Sequence, residues 1–336
     1  MNYRAFGRLG WNVSEVGFGM WGIAGGEGGW TGSDDERGMQ ALQLAVNNGC
    51  NFFDTAWIYG RGHSERMLGR LLRNNPDNPP IVATKVPPKN REWPSRRGDK
   101  LEDIFPPDHI RTYVDKSLEN LDRGSLQLLQ FHVWEDDWAH DERWMRVVDD
   151  LKSEKLIDGI GISVNRWEPE NVIRTLETGL IDSVQVIYNI FDQAPMDQLI
   201  PLCAQHQIAV IARVPFDEGS LTGTLTKQSI WPEGDWRNSY FVRENLHATV
   251  DRVEALKQDL PVGMTLAECA LRFILSNPGI TTVIPGMRAL GNVEQNLECS
   301  SKGPLPPPTS CSVLRRTAGI ERQRHGRNER RTIMFN

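Results

Sequence analysis

Residues 81–133 decide the fold. Ile81-Val82-Ala83-Thr84-Lys85-Val86 is a short, mostly apolar, β-branched run. Asp108–Leu121 then repeats its apolar residues at helical period, and Leu126-Gln127-Leu128-Leu129-Gln130-Phe131-His132-Val133 returns to a run. A strand, a helix and a second strand in that order make a βαβ unit, which needs a parallel sheet with its helix packed on one face. The same alternation continues in both directions. It predicts strands at Glu15–Trp21, Asn51–Ala56, Ile81–Val86, Leu126–Val133, Gly159–Val164, Ser183–Tyr188, Ala209–Val214 and Thr282–Pro285. Between them it predicts helices at Asp34–Asn48, Ser64–Arg73, Asp108–Leu121, Glu142–Lys155, Pro169–Thr178, Met196–Gln205, Leu266–Leu275 and Leu290–Cys299. Acids at Asp34, Asp35 and Glu36 suit a helix N-terminus, Pro106-Pro107 a helix start, and Thr265 through Glu268 a capping box.

Eight such units predict an α/β fold closed as a (β/α)8 barrel, the alternative being an open doubly wound sheet. Tyr3–Phe6 and Trp11–Ser14, split by Gly7–Gly10, predict a β-hairpin capping the barrel bottom. Phe216–Pro261 is an insertion after strand 7, with its own helix at Leu246–Leu260. Residues 1–300 therefore read as one domain. The remainder, 301–336, changes character: four prolines fall in Pro304–Pro308, and residues 302–336 hold eight Lys/Arg against two Asp/Glu. That composition predicts a basic, disordered tail; the abrupt switch reads alternatively as a frame shift near Pro306.

Composition removes several classes. With 38 Lys+Arg against 44 Asp+Glu, the net charge of −6 argues against a general nucleic-acid binder. No apolar run of about eighteen residues predicts a membrane span, and Met1–Trp11 lacks the apolar segment of a secretory signal. The five cysteines are far apart with no CxxC pair, which fits a reducing, cytoplasmic setting and no structural metal.

Gly17-Phe18-Gly19-Met20-Trp21-Gly22 matches the spacing of a dinucleotide fingerprint. The fingerprint needs a helix to begin inside it and an acid about 20 residues on. No helix is predicted before about Ser33, so the match is a decoy, and the glycines are expected to let a ligand approach the backbone at the barrel mouth.

Catalytic groups in such barrels come from the C-terminal ends of strands. Strand 2 delivers Asp54, with Tyr59 just beyond; strand 3 delivers Lys85; strand 4 delivers His132. A phenol titrates near pKa ~10. A neighbouring ammonium favours the phenolate and is expected to lower that value, making Tyr59 a general acid for a carbonyl oxygen. Asp54 would hold Lys85, and His132 would orient the substrate.

Phe53-Asp54-Thr55-Ala56 with Tyr59-Gly60, Ser64-Glu65, Thr84-Lys85 and His132 resembles the aldo-keto reductase family over residues 3–300. Gly159 to Ser163, Val184-Gln185 with Tyr188-Asn189, and Ile284-Pro285-Gly286 through Asn296 agree with it. The resemblance implies a catalytic tetrad of Asp54, Tyr59, Lys85 and His132 and NADPH-dependent reduction of a small-molecule carbonyl. It implies nicotinamide contacts from Gly19, Met20, Trp21, Asp54, Ser163, Gln185 and Arg213. Pro215, Gly219 and Leu221 would belt the pyrophosphate, and Gly286, Arg288, Gln295 and Asn296 would hold the adenosine end. This chain has Arg213 where many members stack an aromatic ring, and Val164 where many have Asn, with Asn165 as a replacement. Arg288 is the candidate for the 2′-phosphate, which favours NADP over NAD. Trp21, Trp57 and Trp134 are expected substrate contacts, and Trp93 lies in a neighbouring mouth loop. A second reading is a cofactor-binding regulatory subunit with little turnover; a third is an unrelated barrel lyase or isomerase.

Overall fold

The structure is a computed structural model that describes residues 1–25 and 32–305 together with the backbone of Ile333–Met334. Eight parallel strands form the central sheet: β1 (Phe18–Gly19), β2 (Phe52–Asp54), β3 (Ile81–Val86), β4 (Leu126–Phe131), β5 (Ile157–Ser163), β6 (Ser183–Ile187), β7 (Ala209–Arg213) and β8 (Thr282–Val283). Each lies beside its neighbour in sequence. Bridges from Val16 to Val283 and from Gly19 to Gly286 carry β8 back to β1, so the sheet closes. The helices expected between strands cover its outside.

The seam explains the decoy glycines. The amides of Gly17 and Gly19 donate to the carbonyls of Val283 at 2.8 Å and Pro285 at 3.0 Å. A Cβ on Gly17 would lie 2.9 Å from the Phe52 carbonyl, and one on Gly19 would lie 2.6 Å from that of Ile284. Both are closer than side-chain atoms come. The seam is thus one reason for glycine at these two positions: neighbouring strand backbone approaches them. Beyond β1 the chain enters the turn Trp21–Ile23, so the strand is shorter than its apolar run.

Helix starts follow the local chemistry. Asp34 accepts from the Arg37 amide at 2.8 Å, Thr265 from that of Glu268 at 3.1 Å, and Pro107 opens the helix Pro107–Leu121. Two helices are shorter than their periodicity: Ile173–Glu177 and Leu199–Gln205. The insertion helix runs Arg243–Lys257, starting earlier than expected, and follows a single turn at Arg237–Tyr240. It carries its own small core of Phe241, Leu246 and Val250 against Leu225, Trp231 and Tyr240.

The hairpin caps the bottom as expected. Phe6 stacks on Trp11 at 5.3 Å and on Phe52 at 5.6 Å. With Ala83, Leu128, Ala209, Ile211 and Ile284 it fills the barrel floor. Truncating a buried phenylalanine in such a layer costs about 3–5 kcal/mol. Chemistry is thereby confined to the opposite end.

Among the described residues no helix is long and apolar enough to cross a membrane. The expected disordered tail falls on residues outside the described ones, apart from the start through Leu305 and the pair Ile333–Met334, whose backbone runs antiparallel to Glu92–Trp93.

Candidate active site

Strand alternation builds the site. Thr84 and Lys85 are consecutive on β3, so their side chains leave opposite faces. Lys85 points into the barrel, where its Nζ donates to Asp54 Oδ1 at 2.5 Å and to the Thr55 carbonyl at 2.8 Å. Asp54 Oδ2 accepts from the side-chain amides of Gln185 at 2.7 Å and Gln130 at 3.1 Å. All four side chains are buried. The carboxylate is thus saturated with donors, as a buried charge must be.

Above this pair lies Tyr59, half-buried, with Lys85 Nζ 5.1 Å from its ring centroid. His132 meets Tyr59 edge-on at 5.8 Å, and Trp93 meets His132 edge-on at 5.5 Å. The four expected catalytic side chains therefore converge. Burial pushes the Tyr59 phenol above its ordinary value; Lys85 pulls it down, Asp54 raises it, and Arg213 lowers it. The expected net lowering is corrected: desolvation of the phenolate outweighs the ammonium. Tyr59 accordingly holds its proton, which is the state a general acid needs. Burial, Lys85 and Arg213 hold His132 well below the usual histidine range, so its ring is neutral. Its Nδ1 is buried without a partner, which leaves Nε2 as the nitrogen able to meet a substrate.

Trp21 lies over Tyr59 with centroids 6.5 Å apart, and Trp236 of the insertion packs on Trp21 at 5.2 Å. The other two expected substrate tryptophans have other neighbours. Trp134 is fully buried among Phe131, Trp138 and Trp144, and its indole N–H donates to Thr175 Oγ1 at 2.8 Å. Trp57 packs edge-on against Tyr113 at 4.7 Å, with Lys116 Nζ 5.4 Å from its ring. Trp134 is enclosed by its neighbours, so the expectation of substrate contact is corrected for it, whereas Trp57 stays partly exposed.

Of the expected cofactor residues, Gly19, Met20, Trp21 and Asp54 lie at the ends of β1 and β2, and the others follow β5 to β8. Ser163 and Gln185 are register partners at the ends of β5 and β6. Arg213 ends β7; its Nη2 donates to the Val164 carbonyl at 3.1 Å, and its Nε is buried with no partner. Burial and the nearby Arg166 lower Arg213 to about 10. Pro215, Gly219 and Leu221 form a strap in which Val214, Asp217, Glu218 and Gly219 all take positive φ. Such backbone persists only where surroundings over-determine it. Here Arg166 does so, pairing with Glu218 at 3.0 Å and donating to the Tyr240 hydroxyl at 2.8 Å. Met20 and Leu221 are fully buried.

Gly286 is exposed, and a Cβ there would meet open space. Arg288 borders a cleft of about 480 Å³ with Ser33, Asp34, Arg37 and Leu290. Gln295 is exposed and Asn296 buried on the helix Leu290–Ser301. Asn165 is committed elsewhere: its amide donates to Ser95 Oγ and the Trp134 carbonyl, each at 2.8 Å, and to Glu135 at 3.0 Å. It clasps the loops behind His132 and is not free to replace a nicotinamide contact at Val164.

Sequence reasoning missed Gln130, Trp236 and Arg166. Gln130 gave no distinct signal, since an uncharged amide two residues before His132 reads as ordinary strand polarity. The other two carried none: their contacts join loops far apart in the chain.

The Aldo/keto reductase family model matches residues 15–308. An NADH-specific methylglyoxal reductase of Escherichia coli is 30% identical over 298 residues, covering 85% of this chain and 89% of that protein. An aldo-keto reductase of Bacillus subtilis is 25% identical over 299 residues, covering 88% and 87% respectively. A solved aldo-keto reductase from Bacillus halodurans in its holo form superposes with TM-score 0.74 at 26% identity, over 95% of this chain and 96% of that one. A converging Asp54, Tyr59, Lys85 and His132 at the mouth of a closed eight-stranded barrel agrees with these likenesses, and the chain belongs to the aldo/keto reductase family of oxidoreductases.

Proposed function

We propose that this protein reduces the carbonyl of an aldehyde or ketone to an alcohol, with NADPH as the cofactor. The observation that carries the reading is the buried Lys85–Asp54 pair at 2.5 Å beneath a protonated Tyr59 and beside a neutral His132. When bound, the nicotinamide supplies hydride to the carbonyl carbon. Tyr59 gives its proton to the carbonyl oxygen. As the phenolate forms, the Lys85 ammonium stabilises it, which is worth most in the transition state. Asp54 keeps Lys85 aimed, and the two glutamine amides keep Asp54 from turning toward Tyr59. His132 offers Nε2 to the same oxygen and fixes the carbonyl's direction. Trp21 and Trp93 wall the space beside Tyr59, which favours an apolar or flat substrate.

The mouth suits a dinucleotide. Arg213 Nε is a polar atom buried at the end of β7 without a partner. Ser163, Gln185 and Arg213 would hold the nicotinamide. Gly19, Met20 and Trp21 would line it, the strap of Pro215, Gly219 and Leu221 would cross the pyrophosphate, and Gly286, Arg288, Gln295 and Asn296 would hold the adenosine. Arg288 beside the 480 Å³ cleft supports NADPH over NADH, since a guanidinium suits a 2′-phosphate. The Escherichia coli relative is by name NADH-specific, so the two cofactors are compared side by side.

The test follows the absorbance of reduced nicotinamide over a panel of aldehydes, ketones and quinones. Consumption with several carbonyls, and a kcat/KM for NADPH at least ~10-fold above that for NADH that Arg288→Ala abolishes, is expected; an ion pair to phosphate is worth that much. Saturable cofactor binding without turnover on any carbonyl would overturn the reductase reading in favour of a regulatory subunit.

A further inference from the structure

We infer that Arg213 makes the site a selective holder of reduced nicotinamide: its guanidinium disfavours the positively charged oxidised ring, so the protein stays loaded for carbonyl reduction. This rests on the reading of the site as a nicotinamide-dependent reductase. Two cations reach the reaction chamber, and their surroundings differ. Lys85 is neutralised by Asp54 at 2.5 Å. Arg213 has no carboxylate within ion-pair distance among the described residues. Its one hydrogen bond is to the neutral Val164 carbonyl at 3.1 Å, and its Nε has no partner. Glu218, the nearest acid of the strap, is paired at 3.0 Å with Arg166 instead.

Position then does the rest. Arg213 is the terminal residue of β7, in register with Ile187 of β6, and its charge is felt at Tyr59, Asp54 and His132. A carbonyl that takes a proton from Tyr59 lies within hydrogen-bond reach of its hydroxyl. The ring that gives hydride to that carbonyl must sit about 3–3.5 Å from the carbon. Both therefore fall in the chamber that Arg213 bounds. The reduced ring is neutral. The oxidised ring carries one positive charge. At separations near 5 Å and an effective dielectric near 20, like charges repel enough to shift a binding ratio by roughly 10-fold after solvent and Glu218 take their share. Loading with oxidised cofactor is opposed, and its release after reduction is aided.

The experiment measures Kd for NADPH and for NADP+ on the purified full chain, by calorimetry, without substrate. The wild-type ratio of Kd for NADP+ to Kd for NADPH is expected to fall about 10-fold in Arg213→Gln and to be kept in Arg213→Lys. Arg213→Phe, which keeps a flat ring without charge, is expected to behave as Arg213→Gln does and serves if the glutamine variant does not fold. An unchanged ratio in the uncharged variants, or an equal loss in Arg213→Lys, would overturn the inference and leave the reductase reading standing. Failure of wild type to bind either form would remove both.

Discussion

Asp54 and Glu65 are buried carboxylates on opposite sides of the barrel wall. Asp54 faces inward and meets a cation, Lys85, and two amides. Glu65, on the helix His63–Asn74, packs against the outer face of the wall and meets only neutral donors: Thr84 and Ser117 hydroxyls at 2.6 Å each and the Asn120 amide at 2.8 Å. The consecutive residues Thr84 and Lys85 serve one acid each, because a strand turns alternate side chains to alternate faces. One wall thus carries a charged site and a structural clasp of similar donor number. The difference is whether a full charge is held ready for use. For Glu65, burial dominates and pushes the carboxyl up, while Ser117, Thr84 and Asn120 pull it only part of the way back.

The sharpest way to break the comparison is to remove the cation. Lys85→Met strands Asp54 as a buried, unpaired charge. Losing one partner of a buried pair costs about 3–5 kcal/mol. We expect a loss of that order in the free energy of denaturant unfolding, with turnover abolished. A stability loss under about 1 kcal/mol, the range of an exposed pair, would mean that the inner acid is no more charged in the fold than the outer one.

The next effect separates catalysis from stability. Tyr59→Phe leaves the Asp54–Lys85 pair intact and takes one half-buried hydroxyl from the mouth. Removing a general acid costs typically about 10²–10⁴ in rate. We expect kcat to fall by that factor while the melting temperature and the Kd for cofactor hold. A variant that loses binding in proportion to rate would assign Tyr59 to cofactor retention instead.

The same wall explains what could be read from sequence. The strands were legible because their apolar runs are short and repeated, and the tetrad because a charge or imidazole at the end of an apolar run is conspicuous. Gln130 was not, although it binds Asp54 as Gln185 does; an uncharged amide two residues before His132 reads as ordinary strand polarity. Tryptophan direction was illegible as well. Trp57 and Trp134 both lie near strand ends, yet Trp134 is enclosed beside Trp144 while Trp57 packs edge-on against Tyr113 and stays partly exposed. The clasp of Arg166 with Glu218 and Tyr240 joins two loops across the mouth, and no local periodicity encodes such a pair. Glu65 was noticed only as part of a family motif; its burial shows why a carboxylate there needs Thr84, Ser117 and Asn120.

A pH series sharpens the contrast further. The folded pKa of Glu65 is raised above its ordinary 4.5, so the folded state binds its proton more tightly than the unfolded chain does. Between 4.5 and the folded value, stability therefore falls as pH rises and is recovered as pH falls. Glu65→Gln removes that titration. The melting temperature of wild type relative to Glu65→Gln is expected to rise as pH drops from about 7 to about 5. A difference that stays flat, or falls, would mean that the three neutral donors suffice to hold a charge as Lys85 does for Asp54.

The smallest effect isolates one hydrogen bond on the outer face. Thr84→Val is nearly isosteric and removes the hydroxyl that donates to Glu65 Oε1 at 2.6 Å. Oε1 keeps the Ser117 hydroxyl, and Oε2 keeps Asn120, so the acid is weakened rather than orphaned. A hydrogen bond to a group that is at least partly charged contributes about 1.5–3 kcal/mol, whereas one to a neutral carboxyl contributes about 1 kcal/mol. Denaturant unfolding of Thr84→Val at two pH values therefore reads the charge on Glu65 directly. We expect a loss near the upper figure at neutral pH and near the lower one in mild acid, with kcat and KM unchanged at both. Kinetic constants that moved with Thr84 would mean the two faces of β3 are coupled, and that the outer clasp helps set the position of Lys85 after all.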